Sequence, residues 1–256
     1  MRVTVLIANH NYGRYLKKAI DSALNQTFQP SCICICDDNS TDDSWDIISE
    51  YASNNQTHEE YVDSPIGVVC IKIGNINKTD IVGIKLPVTS GPSVARNYGI
   101  DVTMKTTDVY AILDSDDEML PNKIEECLNP FVHKDVVGVY ANYFHVDETT
   151  GTKIIEVKEP YNKIRLNQEC IIHSGSLIRA SALEKVKDNN GYYDCSMRTC
   201  EDWELWLRLS NIGIFYHIPK ALTHVLIHPN NSTFSVNKDI WLRNWKYIGQ
   251  KHFGET

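Results

Sequence analysis

The stretch Tyr110-Ala111-Ile112-Leu113-Asp114-Ser115-Asp116-Asp117 decides how this chain is read. Four mostly apolar residues lead into three carboxylates within four positions. An apolar run of this length, ended by polar residues, reads as a buried strand. Carboxylates this close repel one another, so a buried cluster of them needs a counter-charge. A divalent cation supplies one, and oxygen-rich sites suit Mg²⁺ or Mn²⁺. Mg²⁺ takes one or two protein carboxylates and leaves its other positions to water and phosphate oxygens. The stretch therefore predicts a metal-diphosphate site at the C-terminal end of a strand. The simpler alternative is a solvated acidic turn that caps the helix expected after Pro121.

Upstream, residues 3–8 read as an apolar strand followed by the polar loop Asn9-His10-Asn11-Tyr12-Gly13-Arg14-Tyr15. Leu16, Ala19, Ile20, Ala23 and Leu24 then fall at helical spacing. The next strand, residues 32–36, runs into Asp37-Asp38-Asn39-Ser40, and a helix carrying Trp45, Ile47, Ile48 and Tyr51 follows. This alternation predicts an α/β fold with a mostly parallel central sheet and helices on its faces. Ligands of such sheets sit beyond the C-terminal strand ends. Both acidic clusters, at Asp37-Asp38 and at Asp114–Asp117, occupy that position. Chance helix capping does not account for two of them at one edge.

Between these clusters, 68–73 and 80–86 read as two strands around a turn containing Asn75 and Asn77, a hairpin-like excursion within residues 56–90. Gly91-Pro92 opens a short helix whose Arg96 can face the same edge. Downstream, 136–146 predicts a strand, 147–151 a turn, 153–158 a short strand, and 171–179 a strand broken by the small residues Ser174-Gly175-Ser176. In Cys200-Glu201-Asp202-Trp203-Glu204-Leu205-Trp206-Leu207, the residues Trp203, Trp206 and Leu207 keep helical spacing, with Glu201 and Asp202 in the first turn. The helix dipole favours acidic residues there and keeps a carboxylate ionised, as a general base requires. A strand is expected around 214–219. The helix at about 237–250 places Trp241, Trp245 and Ile248 on one face, expected to pack against the body of the protein, with docking to a membrane surface or a partner as the sharper alternative.

The 256 residues carry 42% apolar and 23% charged residues, a globular profile, and a net charge of −8. That balance argues against general nucleic-acid binding. No apolar run reaches the roughly 18 residues of a membrane span, and residues 1–8 lack the pattern of a signal peptide. The expectation is a soluble cytoplasmic protein. Of eight cysteines, Cys32, Cys34 and Cys36 alternate along one strand and read as buried thiols on one face. Zinc is the sharper alternative, but no C-x-x-C pair occurs.

The set formed by the Asn9–Tyr15 loop, Asp37-Asp38-Asn39-Ser40, Ala95-Arg96-Asn97, Asp114-Ser115-Asp116-Asp117 and Glu201-Asp202 resembles the family 2 inverting glycosyltransferases, in order and spacing, over residues 1–235. The resemblance implies a GT-A fold, a Rossmann-like sheet divided into a nucleotide-sugar half (1–117) and an acceptor and base half (118–235), with 236–256 as a C-terminal helix. It implies a nucleotide-sugar donor, UDP-sugars being the commonest, with Mn²⁺ or Mg²⁺. Asp38 resembles the carboxylate at the nucleobase, with Asp37 beside it, and Asn9 and Tyr12 border the nucleotide. Arg96, Asp114 and Ser115 resemble donor-binding positions, and Asp116 the metal ligand. Asp202 resembles the catalytic base, with Glu201 as its neighbour. His228 and Ser232 resemble the late loop over the diphosphate, and His224 competes for that place or for metal contact. Two departures stand out. The usual Asp-Asp-Gly-Ser is Asp-Asp-Asn-Ser here, and Asn tolerates a left-handed turn. Leu226 and Ile227 stand where the late loop often carries an Arg.

Inverting transfer is a single displacement in which the acceptor hydroxyl loses a proton as it attacks. A positioned base contributes about 10²–10⁴ in rate. A metal on the leaving diphosphate contributes several kcal/mol. The two must flank the sugar, which suits carboxylates as far apart in sequence as Asp116 and Asp202. Arg96 or His228 on the phosphates adds electrostatic stabilisation. The acceptor is expected to be a saccharide or another hydroxyl compound, and a homo-oligomer is compatible with the sequence. Two other readings compete: a nucleotidyltransferase on a related sheet, against which the single Gly of the Asn9–Tyr15 loop counts, and a non-catalytic nucleotide-sugar-binding module, against which the Glu201-Asp202 pair counts.

Overall fold

A computed structural model describes residues 1–53 and 58–254; the side chains of residues 232 and 233 lie outside the description. Val3–Asn9 (β1), Gly13–Leu24 (α1), Cys32–Asp37 (β2) and Ser44–Ala52 (α2) form the expected opening alternation. His58–Ser64 (β3), Gly67–Ile76 (β4) and Thr79–Lys85 (β5) follow, then Pro92–Thr103 (α3) and Val109–Asp114 (β6). The second half contains Glu118–Met119 (β7), Lys123–Leu128 (α4), Val136–Asp147 (β8), Lys153–Glu156 (β9), Lys163–Leu166 (α5), Leu177–Arg179 (β10) and Ala180–Val186 (α6). Glu201–Leu209 (α7), Ile214–Ile227 (β11), Ser232–Ser235 (α8) and Lys238–Phe253 (α9) complete it.

The strands make one sheet in the order β3-β4-β5-β2-β1-β6-β10-β8-β11-β7, with β9 beside β8. Its centre is parallel: β5, β2, β1 and β6 are parallel neighbours, and so are β8 and β11, with β10 set antiparallel between the two groups. The sheet is thus mostly parallel in its centre and flanked by helices. Side-chain alternation splits the core into two layers. Val3, Val5, Ile7, Ile33 and Ile35 pack against α1 and α2. Leu6, Cys34 and Cys36 pack on the other face with α3 and α7. The three alternating cysteines are free and buried there, as their spacing predicts. Gly99 of α3 is required by this packing, because an added Cβ would come within 2.4 Å of Leu6 Cδ1.

Three details depart from the sequence reading. The hairpin of β4 and β5 turns at Asn77 and Lys78, both at positive φ, near the predicted place. It is no excursion, however: β5 is an inner strand beside β2, and β3, exposed and without an apolar face, was not foreseen. Within 171–179 only β10 is strand. The preceding residues spend their polar groups locally, Ser176 N on the Ser174 carbonyl at 2.8 Å and Gly175 N on His173 Nδ1 at 3.1 Å. Third, β11 continues through Pro219 to Ile227, absorbing it with register shifts between Ile218 and His224. At the C-terminus, α9 docks through fully buried Ile248, while Trp241 is partly buried and Trp245 stays largely exposed, edge-on to Trp203.

The register places the polar ends together. Asn9 pairs with Asp37 across β1 and β2, and Ala8 with Asp114 across β1 and β6. The C-terminal ends of the three central strands therefore carry Asn9, Asp37 and Asp114 along one edge.

Candidate active site

At that edge the first acidic pair shapes the loops. Asp37 is fully buried; its oxygens accept from Ser40 N (3.0 Å), Ser40 Oγ (2.5 Å) and Asn9 Nδ2 (2.9 Å). Asn39 sits at φ 56, the left-handed conformation expected where the family usually has Gly. Asp38 receives Ser90 N and Gly91 N, one on each oxygen at 2.7 Å, and so ties the loop before α3 to the end of β2. Asn9 has one orphaned acceptor, Oδ1, buried at the strand end.

The second cluster is not a helix cap. The N-cap of α4 is Asn122, and the Asp114, Asp116 and Asp117 carboxylates turn elsewhere. Asp114 accepts from Arg96 Nη2 (2.9 Å) and Ser174 Oγ (3.1 Å). Burial opposes its charge, but Arg96 overrides this and holds the carboxyl below its usual range. Asp116 Oδ2 accepts from His228 Nε2 (3.0 Å) and Asn231 Nδ2 (3.0 Å). Asn230 N points at His228 Nδ1 (3.2 Å), so the ring proton belongs on Nε2, facing Asp116. Burial and then the Asp114 charge push Asp116 up. Asp117 is raised well above its ordinary value by burial and both neighbours, although Leu226 N donates to it at 3.1 Å. Ser115 is buried between them. A turn that strains to keep its carboxylates ionised is suited to a divalent cation. Among the described residues no three His, Cys, Asp or Glu side chains form a metal cage; Asp116 is the carboxylate of the turn that could hold an ion whose other ligands are water and phosphate.

The late loop closes against this turn. His228 is buried, stacked on Tyr15 (4.7 Å) and edge-on to Tyr12 (5.6 Å). The Tyr12 hydroxyl donates to the Asn230 carbonyl at 2.8 Å, and burial followed by Asp116 pushes its phenol up to about 12. Ser232 begins α8, but its side chain lies outside the description. His224 is a correction: its Nε2 meets Lys153 Nζ at 3.0 Å and its ring lies against Phe144, so it is not brought to the carboxylates.

On the far side, α7 begins at Cys200, which adopts φ 61 without a side-chain cap, and carries Glu201 and Asp202 in its first turn. Glu201 is bound to Arg96 Nη1 at 2.7 Å and is therefore committed to holding Arg96, not to taking protons from a ligand. Arg96 thus bridges α7 to the end of β6, with its guanidinium 5.2 Å over the Tyr193 ring. Asp202 is different. It accepts from the adjacent Trp203 N at 2.7 Å, and burial followed by the Glu201 charge raises it to about 7. A carboxylate poised near neutral pH is what proton abstraction needs.

The sequence reading missed Asn231, Ser174, Tyr193 and Tyr15. Asn231 carried a legible signal, a polar residue three positions after His228; the others needed the fold.

Comparison with known proteins agrees with this geometry. The profile of glycosyl transferase family 2 matches residues 4–187. A chondroitin synthase of Escherichia coli is 26% identical over 90% of this chain and 30% of its own length. An uncharacterized glycosyltransferase of Nostoc sp. is 36% identical over 73% of this chain and 53% of its own length. The chain spans only 21–30% of the chondroitin and hyaluronan synthases it matches. The crystal structure of S. aureus TarS 1–349 in complex with UDP-GlcNAc superimposes with a TM-score of 0.70 at 16% identity, covering 99% of this chain and 68% of that one, and so shares the GT-A fold. The chain belongs to glycosyl transferase family 2.

Proposed function

We propose that this chain transfers a sugar from a nucleotide-sugar donor, a UDP-sugar by preference, to an acceptor hydroxyl with inversion. The observation that carries the reading is the pairing of two unlike acidic sites: the crowded Asp114–Asp117 turn closed by His228 and Asn231, and Asp202, raised to about 7, on a separate helix. Relatives bearing synthase and glucosyltransferase names, and a TarS structure holding UDP-GlcNAc, support the donor class. The strand ends of residues 1–117 face the nucleotide, and residues 118–235 supply the acceptor side and the base. Asp202 takes the proton from the acceptor hydroxyl as it attacks the anomeric carbon. Asp116 would hold the divalent cation, Mn²⁺ or Mg²⁺, whose charge stabilises the leaving diphosphate. Arg96, fixed by Glu201 and Asp114, presents a permanent positive charge toward the donor. Asp38 and Asn9 shape the base end, and the His228 loop closes over the phosphates.

The test is a donor screen. The full chain is incubated with UDP-, GDP-, dTDP- and ADP-sugars, with Mn²⁺, Mg²⁺ or EDTA. Melting temperature and nucleoside diphosphate release are followed. Stabilisation by one donor that vanishes in EDTA, with slow diphosphate release, is the expected outcome. Release of pyrophosphate, or no response to any donor, would overturn it.

A further inference from the structure

Three aromatic rings sit beside the acidic turn with no part in the chemistry above. Tyr143 and His145 lie two residues apart on β8 and so share one face of the sheet. His173 comes from the loop before β10. Its ring lies 4.2 Å from that of Tyr143, and Tyr143 lies 5.1 Å from His145. All three are half-buried, not sealed in the core. Ser174, next to His173, donates to Asp114 at 3.1 Å. The cluster therefore adjoins the Asp114 end of the acidic turn.

The polar groups are arranged for recognition. Gly175 N donates to His173 Nδ1, so His173 presents its Nε2–H. Burial and the nearby Lys123 hold this imidazole down to about 3, so it stays neutral throughout the working range. A neutral donor beside aromatic faces suits an uncharged ring bearing hydroxyls. A pyranose has such a form: one face of C–H bonds that packs on an aromatic ring, and an equatorial rim of hydroxyls that takes hydrogen bonds. Ligand sites commonly combine aromatic lining with a few placed polar groups in this way.

We infer that Tyr143, His145 and His173 form an acceptor subsite that stacks a pyranose ring beside the Asp114 end of the site. This rests on the transferase reading and narrows it to acceptors ending in a sugar ring.

Saturation-transfer-difference NMR on the full chain, with UDP and Mg²⁺, tests it against methyl β-glucoside, β-galactoside, β-N-acetylglucosaminide and β-glucuronide. At least one glycoside is expected to receive saturation along one ring face. Its affinity should fall about tenfold in Tyr143→Leu, which keeps bulk and loses the ring, and hold in Tyr143→Phe. His173→Gln should weaken it while leaving the melting temperature in place. No glycoside signal, or one unchanged by Tyr143→Leu, overturns the subsite. If glycosides bind through Tyr143 but no nucleoside diphosphate stabilises the chain, the transferase reading falls and the subsite stands.

Discussion

Asp202→Asn is the perturbation that bears most directly on the mechanism. The amide keeps an oxygen for the Trp203 N–H bond, seen at 2.7 Å, and removes only charge and basicity. Loss of a positioned base should lower kcat by about 10²–10⁴ with donor affinity kept. The parent should also show an acid limb. Burial and the Glu201 charge raise Asp202 to about 7, so at pH 6 roughly one molecule in eleven carries the ionised base and at pH 8 roughly ten in eleven do. Activity should therefore rise about tenfold per unit below that midpoint and level off above it. Glu201→Gln removes a charge that disfavours ionised Asp202, so the limb should move to lower pH. Stability gives an independent check with a worked sign. A carboxyl raised on folding contributes stability at low pH and loses it as pH rises through the folded value. Asp202→Asn should therefore melt no lower than the parent at pH 8. The assay is diphosphate release from the selected donor between pH 5.5 and 9, with melting curves alongside. A variant that keeps more than about a tenth of parental turnover, or a limb that survives Asp202→Asn, would refute the base assignment.

Arg96→Met strands Glu201 and Asp114, both bonded to it at 2.9 Å or less, in a buried place; breaking such a pair costs about 3–5 kcal/mol and should appear as a lowered urea midpoint. Arg96→Lys should recover part of this, because one ammonium cannot fork to both carboxylates. Asp116→Asn should abolish the metal-dependent part of the thermal stabilisation given by UDP while leaving the unliganded melting temperature equal or higher, since Asp116 is itself raised by burial. Gly99→Ala, whose Cβ would meet Leu6 at 2.4 Å, should destabilise by about 1–3 kcal/mol without altering donor preference, measured by denaturant titration.

Strands β1, β2 and β6 were legible because they are buried on both faces and so read as unbroken apolar runs, whereas the inner place of β5 was not. The acidic strand ends were legible because carboxylates that follow such a run have few structural uses. Strand β3 was not, since it pairs at the sheet's outer edge, and His58–Ser64 has no face to bury. The limits of β10 were hidden for a different reason. The backbone N–H groups of Gly175 and Ser176 bond locally, to His173 Nδ1 and the Ser174 carbonyl, and only the Ser176 carbonyl reaches across the sheet, to Ile112 N; the residue types of 171–176 do not announce that. Roles were harder to read than positions. Glu201 and Asp202 are adjacent acidic residues in one helical turn, and only the arrival of Arg96 from α3 assigns one to an ion pair and leaves the other raised.

That division of labour makes a demand on the whole edge. Asp114 stays ionised because Arg96 faces it, and Arg96 stays in place because Glu201 holds its other nitrogen. The same Glu201 charge lifts Asp202 into the range where it can accept a proton. A single buried guanidinium therefore links the state of Asp114 to that of Asp202, which lie 88 residues apart in sequence but are joined through two side chains, Arg96 and Glu201. The late loop makes a second arrangement of this kind: His228 and Asn231 both hold Oδ2 of Asp116. The first contact fixes a charge permanently. The second leaves Asp116, raised by burial and by the Asp114 charge, without a cationic partner among the described residues.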